Sequence, residues 1–425
     1  MSPSPAPFRI PAFRAYWLSR LASTIAQLAM VIVIGWQVYD ISRQTMSVPA
    51  ASFRLGIIGL VQFVPLFLLT PVTGWVADHV DRRWVARGSV ALELFCAVVL
   101  AGLSWTNANS LIALFSVAAL LGVARGFAGP AFGAMATNLV PHDQLPRAIA
   151  LSLIAWQVGA IAGPPLGGYL YAISPATPYI VSAGLLLFSL LMVMRIPPFP
   201  RPVHDNDGQD FWQTAAAGMR YVRTNRLVLG AISLDLFAVL LGGATAMLPV
   251  FARDVLHTGP EGLGHLRAAP ALGATLTAAY LAAKPMKSDV GVKMLVAVAL
   301  FGLATVVFGL SRAMPLSLVS LAVLGAADMF SVNIRQSLIN LHTPNEMRGR
   351  VGAVSSLFIS ASNELGEAES GFLAALIGPV TAVVAGGIGA VVVVVLWAWK
   401  FPELRLARSF EPELTTREYL KETVS

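Results

Sequence analysis

The chain is dominated by apolar stretches long enough to cross a lipid bilayer. Apolar residues make up 56% of its 425 residues and charged residues only 12%, and the mean hydropathy is +0.71. A water-soluble fold needs polar groups over its surface, so this composition excludes one. A spanning helix takes about 20 apolar residues. The sequence predicts an all-α polytopic membrane protein with twelve spans, in two sets of six, at residues 16–40, 52–77, 88–106, 109–137, 146–173, 178–196, 226–251, 261–283, 291–311, 314–339, 350–377 and 379–400.

The two halves of the chain repeat each other at a fixed offset of 203 residues. Each half carries a proline, an arginine six residues later and, further on, two glycines five residues apart. The matched pairs are Pro141 and Pro344, Arg147 and Arg350, Ser152 and Ser355, Gly163 and Gly366, and Gly168 and Gly371. A membrane protein built from two like halves can rock one half against the other around a site between them. The repeat therefore favours a transporter.

The net charge of +7 is compatible with nucleic-acid binding, but its distribution argues against that function. Most of the 29 Lys and Arg residues fall in alternate loops and in the two tails. Cytoplasmic loops of membrane proteins carry such an excess of Lys and Arg. We therefore predict a multi-pass protein of the cell (inner) membrane with both termini in the cytoplasm, and no nucleic-acid partner.

The longest polar segment separates the two halves. It begins with turn-forming residues and then places Phe211, Ala215, Met219 and Val222 on one helical face. This pattern predicts an amphipathic helix on the cytoplasmic membrane surface. The predicted organisation is a six-helix bundle at 1–196, a linker with this helix at 197–225, a second six-helix bundle at 226–405 and a cytoplasmic tail at 406–425.

A polar turn joins the second and third predicted spans. Its glycine allows helices to approach closely, and Asp78, at a helix end, can pair with arginines or with the N-terminal dipole of a neighbouring helix. Such a contact would hold the two halves in one orientation and would break during a transport cycle. We predict gating roles for Gly74, Asp78, Asp81, Arg82 and Arg83; a capping Asp beside topogenic arginines is the alternative for the charged residues.

The fifth predicted span holds four glycines and a proline within ten residues. Gly159, Gly163 and Gly167 share one smooth helix face that suits close packing, and Pro164 introduces a bend. We predict that these residues and Gly168 form part of the gating machinery. An ordinary helix-packing face is the alternative.

The eleventh predicted span is unusual because Glu364, Glu367 and Glu369 lie within six residues of an apolar helix. Glu364 and Glu367 share one face, whereas Glu369 points away from both. Two carboxylates this close in a low dielectric do not readily both carry charge. We predict that Glu364 and Glu367 couple proton entry to the movement of the halves; hydrogen-bonded packing groups are the alternative.

Several motifs together resemble the major facilitator superfamily. Residues 74–83 match that family's loop signature, with His79 where a basic residue is usual and Asp81 where a glycine is usual. Arg125 matches the arginine of its fourth-span motif, although Ala128 replaces the usual glutamine. Residues 159–168 match the fifth-span motif of drug–proton antiporters and other exporters. The first and eleventh spans resemble the branch that contains the enterobactin exporter and macrolide efflux proteins.

The resemblance implies that spans one, four, seven and ten line a cavity, while spans two, five, eight and eleven meet between the halves. It then assigns residues to the substrate cavity, namely Arg20, Ser23 or Thr24, Gln27, Arg125 and Arg335. Asp235 on span seven and Asp328 on span ten then face the cavity, and we predict proton-coupling roles for both because charges within a membrane are usually functional. Arg20 can instead snorkel to the cytoplasmic surface, and Glu93, expected near the same end, is equally consistent with a structural salt bridge.

These inferences predict a secondary active transporter that exports an amphiphilic small molecule, such as a siderophore or drug-like compound, by proton-coupled alternating access. One alternative is a proton- or ion-coupled importer of a small metabolite; another is a non-pumping lipid-handling or sensory membrane protein. The expected partners are the substrate, protons and the bilayer, and the family implies a monomer. No metal-ligand spacing, nucleotide-binding loop or catalytic constellation occurs in the sequence, so we expect no metal site, no cofactor and no enzyme activity.

Overall fold

A computed structural model describes residues 6–108, 110–198, 211–284, 286 and 288–410. Those residues form helices and no strands, and twelve of the helices contain 16 to 33 residues. We label these α1–α12: Pro11–Arg43, Val48–His79, Arg82–Trp105, Leu111–Asn138, Leu145–Ile173, Thr177–Met194, Arg226–Leu241, Pro260–Ala283, Val290–Leu310, Met314–Leu341, Asn345–Ile377 and Pro379–Lys400. A shorter helix, Phe211–Thr224, is called the linker helix.

Ten stretches of the described chain are long and apolar enough to cross a membrane, namely α1–α7, α9, α10 and α12. The seventh continues past the end of α7, where Gly242 and Gly243 interrupt the helix, through short helical turns to Val255. Helices α8 and α11, with 24 and 33 residues, are long enough but carry charged residues. The prediction of an all-α polytopic membrane protein is confirmed, and the crossing of the membrane by α8 and α11 stays a prediction.

The packing of the first six long helices matches that of the last six. Helix α1 packs along α5 and α6, and α7 packs along α11 and α12. Helix α4 contacts α2 and α3, as α10 contacts α8 and α9. The sequence repeat explains this match, because Gly163 of α5 lies against α1 and its counterpart Gly366 of α11 lies against α7. Glycine at both positions lets the paired backbones approach.

The two halves meet along α2 with α11 and along α5 with α8. Small residues set the distance between the halves at these two contacts. A Cβ atom on Gly56 would lie 2.9 Å from the carbonyl oxygen of Ala368, and one on Gly264 would lie 2.8 Å from that of Pro164. A larger residue at either position would therefore push one half away from the other.

The linker helix packs against α11 and α7 of the second half. Val222 is buried there in a small apolar cluster with Val228 and Val351, and the Tyr221 hydroxyl donates to the carbonyl oxygen at His342, 2.5 Å away. We call the side on which this helix lies, where the odd-numbered helices begin, the linker side. The opposite side is the far side.

Candidate transport site

Five charged side chains gather where the two halves meet. This central cluster consists of Glu93 on α3, Arg125 on α4, Arg267 on α8, and Glu364 and Glu367 on α11. Glu93, Arg125 and Glu364 sit near the midpoints of their helices, and the other two lie about one to two turns further toward the far side. The cluster therefore lies near the mid-height of the helices, the depth predicted for the bilayer interior, where unpaired charge is most costly.

Arg125 contacts one residue of its own half and one of the opposite half. Its Nη1 donates to Gln62 Oε1 on α2 at 3.0 Å, and its Nη2 lies 3.6 Å from Glu364 Oε1 on α11. The Glu364 side chain is 13% exposed and that of Arg125 is 33% exposed. Partial shielding from water strengthens such a pair relative to one on an open surface. Arg125 thus holds an acid of the opposite half.

Glu367 pairs with Arg267, a residue of its own half, at 3.6 Å. The backbone of α2 at Gly59 packs closely against the Glu367 side chain. Arg267 lies within α8, which begins at Pro260, and the predicted span at 261–283 also contains it.

Glu93 is fully buried and accepts hydrogen bonds from two polar residues of α1. Ser23 Oγ lies 3.0 Å from Glu93 Oε2, and Gln27 Nε2 lies 3.3 Å from Glu93 Oε1. Arg125 is near enough to act on Glu93 electrostatically. The expected position of Glu93 near a span end was wrong, because α3 begins at Arg82 rather than at residue 88.

The other two α1 residues assigned to the cavity have local partners. Arg20 Nη1 donates to the Tyr16 hydroxyl at 3.0 Å, and Thr24 Oγ1 donates to the Arg20 carbonyl at 2.7 Å. The Thr24 side chain also lies against Gly159 of α5. In this conformation, Ser23 and Gln27 are the α1 residues of the predicted polar stripe that reach the central cluster.

A second buried group of charges lies inside the second half. Asp235 of α7 forms an ion pair with Arg335 of α10, and both side chains are less than a tenth exposed. Asp235, Asp328 and Ser331 line a small cavity beside this pair. Within the described residues, the Ser331 hydroxyl has no hydrogen-bond partner. Arg335, assigned from the sequence to the substrate cavity, thus reaches Asp235 in the interior of the bundle.

The far side is closed by a set of charged contacts that sequence reasoning missed, which we call the far-side clamp. Arg43 Nη2 of α1 lies 3.0 Å from Asp254 Oδ1, and Arg253 pairs with Asp40. The Tyr39 hydroxyl donates to Asp254 Oδ2 at 2.6 Å. The clamp joins the end of α1 to the segment after α7, so it links the halves. The available signal in the sequence was spacing, because Asp254 directly follows Arg253 and Asp40 lies three residues before Arg43.

The predicted gating turn connects helices of the first half. Asp81 caps α3 by accepting from the Arg83 backbone N–H at 3.0 Å, and it pairs with the Arg83 guanidinium at 2.5 Å. Arg83 and Arg82 also donate to carbonyl oxygens near the ends of α6 and α4, at 3.3 and 3.4 Å. The surroundings of Gly74 and the side chain of Asp78 lie outside the described part of the structure. A gating role for this turn stays a prediction.

The glycines of α5 lie in close helix contacts. A Cβ atom on Gly163 or Gly167 would lie 2.9 or 2.8 Å from a carbonyl oxygen of α1, and one on Gly159 would meet the Thr24 side chain. Gly168 lies instead against the first residues of α8 in the other half. The helix continues through Pro164 without ending. This face therefore holds α5 between α1 and α8.

The chain matches known proteins along nearly all of its length. The sequence profile of the Major Facilitator Superfamily matches residues 13–367. The enterobactin exporter EntS of Shigella boydii serotype 18 is 27% identical over 420 residues, which cover 96% of each chain, and EntS of Escherichia coli strain SMS-3-5 is similar to the same extent.

Solved structures share the fold at low sequence identity. A POT family transporter in complex with 5-aminolevulinic acid superposes with a TM-score of 0.71 at 12% identity, over 92% of this chain and 96% of that one. A D-xylose–proton symporter superposes with a TM-score of 0.68 at 14% identity, over 93% and 98%. The two matching six-helix bundles, the apolar spanning helices and the sequence-profile match all point to the same family. The chain belongs to the major facilitator superfamily and is a multi-pass membrane transporter.

Proposed function

We propose that this transporter exports an amphiphilic small molecule, a siderophore or a drug-like compound, in exchange for protons. The observation that carries the proposal is the central cluster, in which Arg125 of one half pairs with Glu364 of the other. The similarity to enterobactin exporters over 96% of the chain supports outward transport and an amphiphilic substrate.

The charge balance of the central cluster favours proton binding. Its three carboxylates face only two guanidinium groups. With every group ionised, one negative charge is left uncompensated in a low-dielectric region. Burying an ion without a partner costs several kcal/mol in protein interiors. Binding a single proton removes that cost, so the cluster is suited to hold one.

The position of Glu364 links this proton to the movement of the halves. Its cation partner Arg125 belongs to the first half, whereas Glu367 keeps Arg267 within the second half. When the halves separate at this depth, Glu364 loses its counter-charge and takes up a proton instead. When they close, Arg125 returns and lowers the affinity of Glu364 for that proton, so the proton can leave. Glu367 stays paired and keeps a second acid next to Glu364, which favours protonation of one of the two.

The closed far-side clamp supports the proposal that substrate enters this conformation from the side of the termini. With both termini in the cytoplasm, the far side faces outward, and the clamp closes the route to the outside. Substrate would then enter from the cytoplasm or the inner leaflet, and release would require the clamp to open.

Transport assays in inverted membrane vesicles test the proposal. A pH-quenched dye would report proton movement on addition of catecholate siderophores, macrolides or lipophilic cations. We expect one class to trigger proton movement with the wild type, and Glu364→Gln to abolish it. Glu369→Gln, on the same helix but outside the cluster, is the matched control and should behave as wild type. A folded protein that responds to no compound contradicts export, and a fully active Glu364→Gln variant contradicts the coupling role.

A further inference from the structure

One face of α3 marks where the lipid lies around the first half. Exposed apolar or small residues recur along it every three or four positions, at Trp84, Gly88, Ala91, Phe95, Val98, Gly102 and Trp105. The opposite face of the helix is buried and carries Glu93. Trp84 and Trp105 are 63% and 74% exposed and are separated by 21 residues, about 32 Å at the rise of an α-helix. Tryptophans at that separation mark the two interfaces of a bilayer.

A groove opens on this lipid-facing surface between α2, α3 and α4. Its volume is about 350 Å³, within the size range of small-molecule sites. Among the described residues, its walls are apolar apart from Ser89, and the lining includes Val80, Trp84, Leu92 and Phe127. It runs inward from the Trp84 interface for about 12 Å, the rise between residues 84 and 92. A groove that faces hydrocarbon and has hydrocarbon-like walls fits an acyl chain.

Positive charge lies beside the groove, on the α6 side of Trp84, at the level of the lipid headgroups. The Arg87 guanidinium lies over the Trp84 ring, 4.8 Å from its centroid. Arg87 also donates to the Met194 carbonyl at the end of α6, at 3.3 Å, and the exposed Arg195 follows directly. Two arginines beside an interfacial tryptophan complement a phosphate group.

We propose that this groove binds one anionic phospholipid of the leaflet on the linker side. One acyl chain occupies the space between α2 and α4, and the phosphate lies at Arg87 and Arg195. A lipid in this position packs beside the α2–α3 turn that contains the predicted gating residues. The site does not depend on the substrate or on proton coupling.

Gly88 offers a direct way to fill the groove. A Cβ atom on Gly88 would meet nothing within 4 Å, so Gly88→Phe places its ring in the groove without displacing the backbone. Gly102, on the same exposed face of α3, also has open space around it and lies outside the groove. Gly102→Phe is therefore the matched control for adding an aromatic ring to the lipid-facing surface.

Native mass spectrometry of the delipidated protein, titrated with phosphatidylglycerol or with phosphatidylcholine of the same acyl chains, tests the site. We expect the wild type and Gly102→Phe to bind a first phosphatidylglycerol about tenfold more tightly than further ones, and Gly88→Phe to lose that first site. Arg87→Gln combined with Arg195→Gln should bind both lipids equally.

Two results would overturn the proposal. One is a wild type that binds successive lipids with equal affinity and no preference for the anionic headgroup. The other is a Gly88→Phe protein, folded by circular dichroism, that keeps the first phosphatidylglycerol as tightly as Gly102→Phe does.

Discussion

Weakening the far-side clamp should shift the transporter toward a conformation open on that side. Asp254 receives both the Arg43 guanidinium at 3.0 Å and the Tyr39 hydroxyl at 2.6 Å. Asp254→Asn preserves the size of the side chain and removes its charge. The side chains of the Arg43–Asp254 pair are 23% and 21% exposed, so we discount the pair to about 1 kcal/mol. The charge-assisted bond from Tyr39 contributes about another 1 kcal/mol.

The sum of about 2 kcal/mol corresponds to roughly a 30-fold change in the ratio of open to closed molecules. Double electron–electron resonance between spin labels attached at Thr106→Cys and Ala313→Cys measures that ratio, because the distance between the labels differs in the open and closed molecules. Both positions are exposed at the far side, one in each half. The single native cysteine, Cys96, is buried. We expect Asp254→Asn to add a population with a longer label distance.

A charge exchange provides the control for this experiment. The combination Arg43→Asp with Asp254→Arg restores opposite charges across the same gap and should return most molecules to the short distance. If Asp254→Asn leaves the distance distribution unchanged, or if the exchange widens it further, the clamp does not hold the far side closed.

Three further substitutions test the packing and the buried charges, each by thermal unfolding of the purified protein. Asp235→Asn strands the buried Arg335 and should cost about 3–5 kcal/mol, whereas Asp235→Leu with Arg335→Met should recover most of it; an unchanged single variant contradicts the ion pair. Gly163→Val places a Cβ 2.9 Å from a backbone oxygen of α1 and should cost about 1–3 kcal/mol and impair transport. Gly129→Ala, which meets open space, should do neither, and equal melting of the two would refute the contact. Tyr221→Phe should cost about 1 kcal/mol through the lost bond to α10's end, and a neutral result would show that the linker helix is held by apolar packing alone.

The fold follows closely from the sequence because each span is a local signal. Apolar runs of the required length specify the helices one at a time, and the 203-residue offset between Gly163 and Gly366 specifies equivalent packing in the two halves. Helix ends were less predictable. Helix α3 extends back to Arg82 because a cap at Asp81 begins it before the apolar run does.

The candidate site is only partly visible in the sequence. Glu364 and Glu367 stand out because charges are rare in apolar helices. Their partners are not evident, since Arg125 is 239 residues from Glu364 and only the assembled halves bring the two side chains to 3.6 Å. The far-side clamp was missed for the same reason, because its arginines look like ordinary loop charges until α1 and the segment after α7 meet.

The most direct test of proton exchange is the number of protons released when the purified protein binds its substrate in weakly buffered detergent solution. If Glu364 exchanges a proton for substrate, binding of the compound identified in vesicles releases about one proton per molecule from wild type and none from Glu364→Gln. Tight binding with no proton release from the wild type would contradict proton exchange at Glu364.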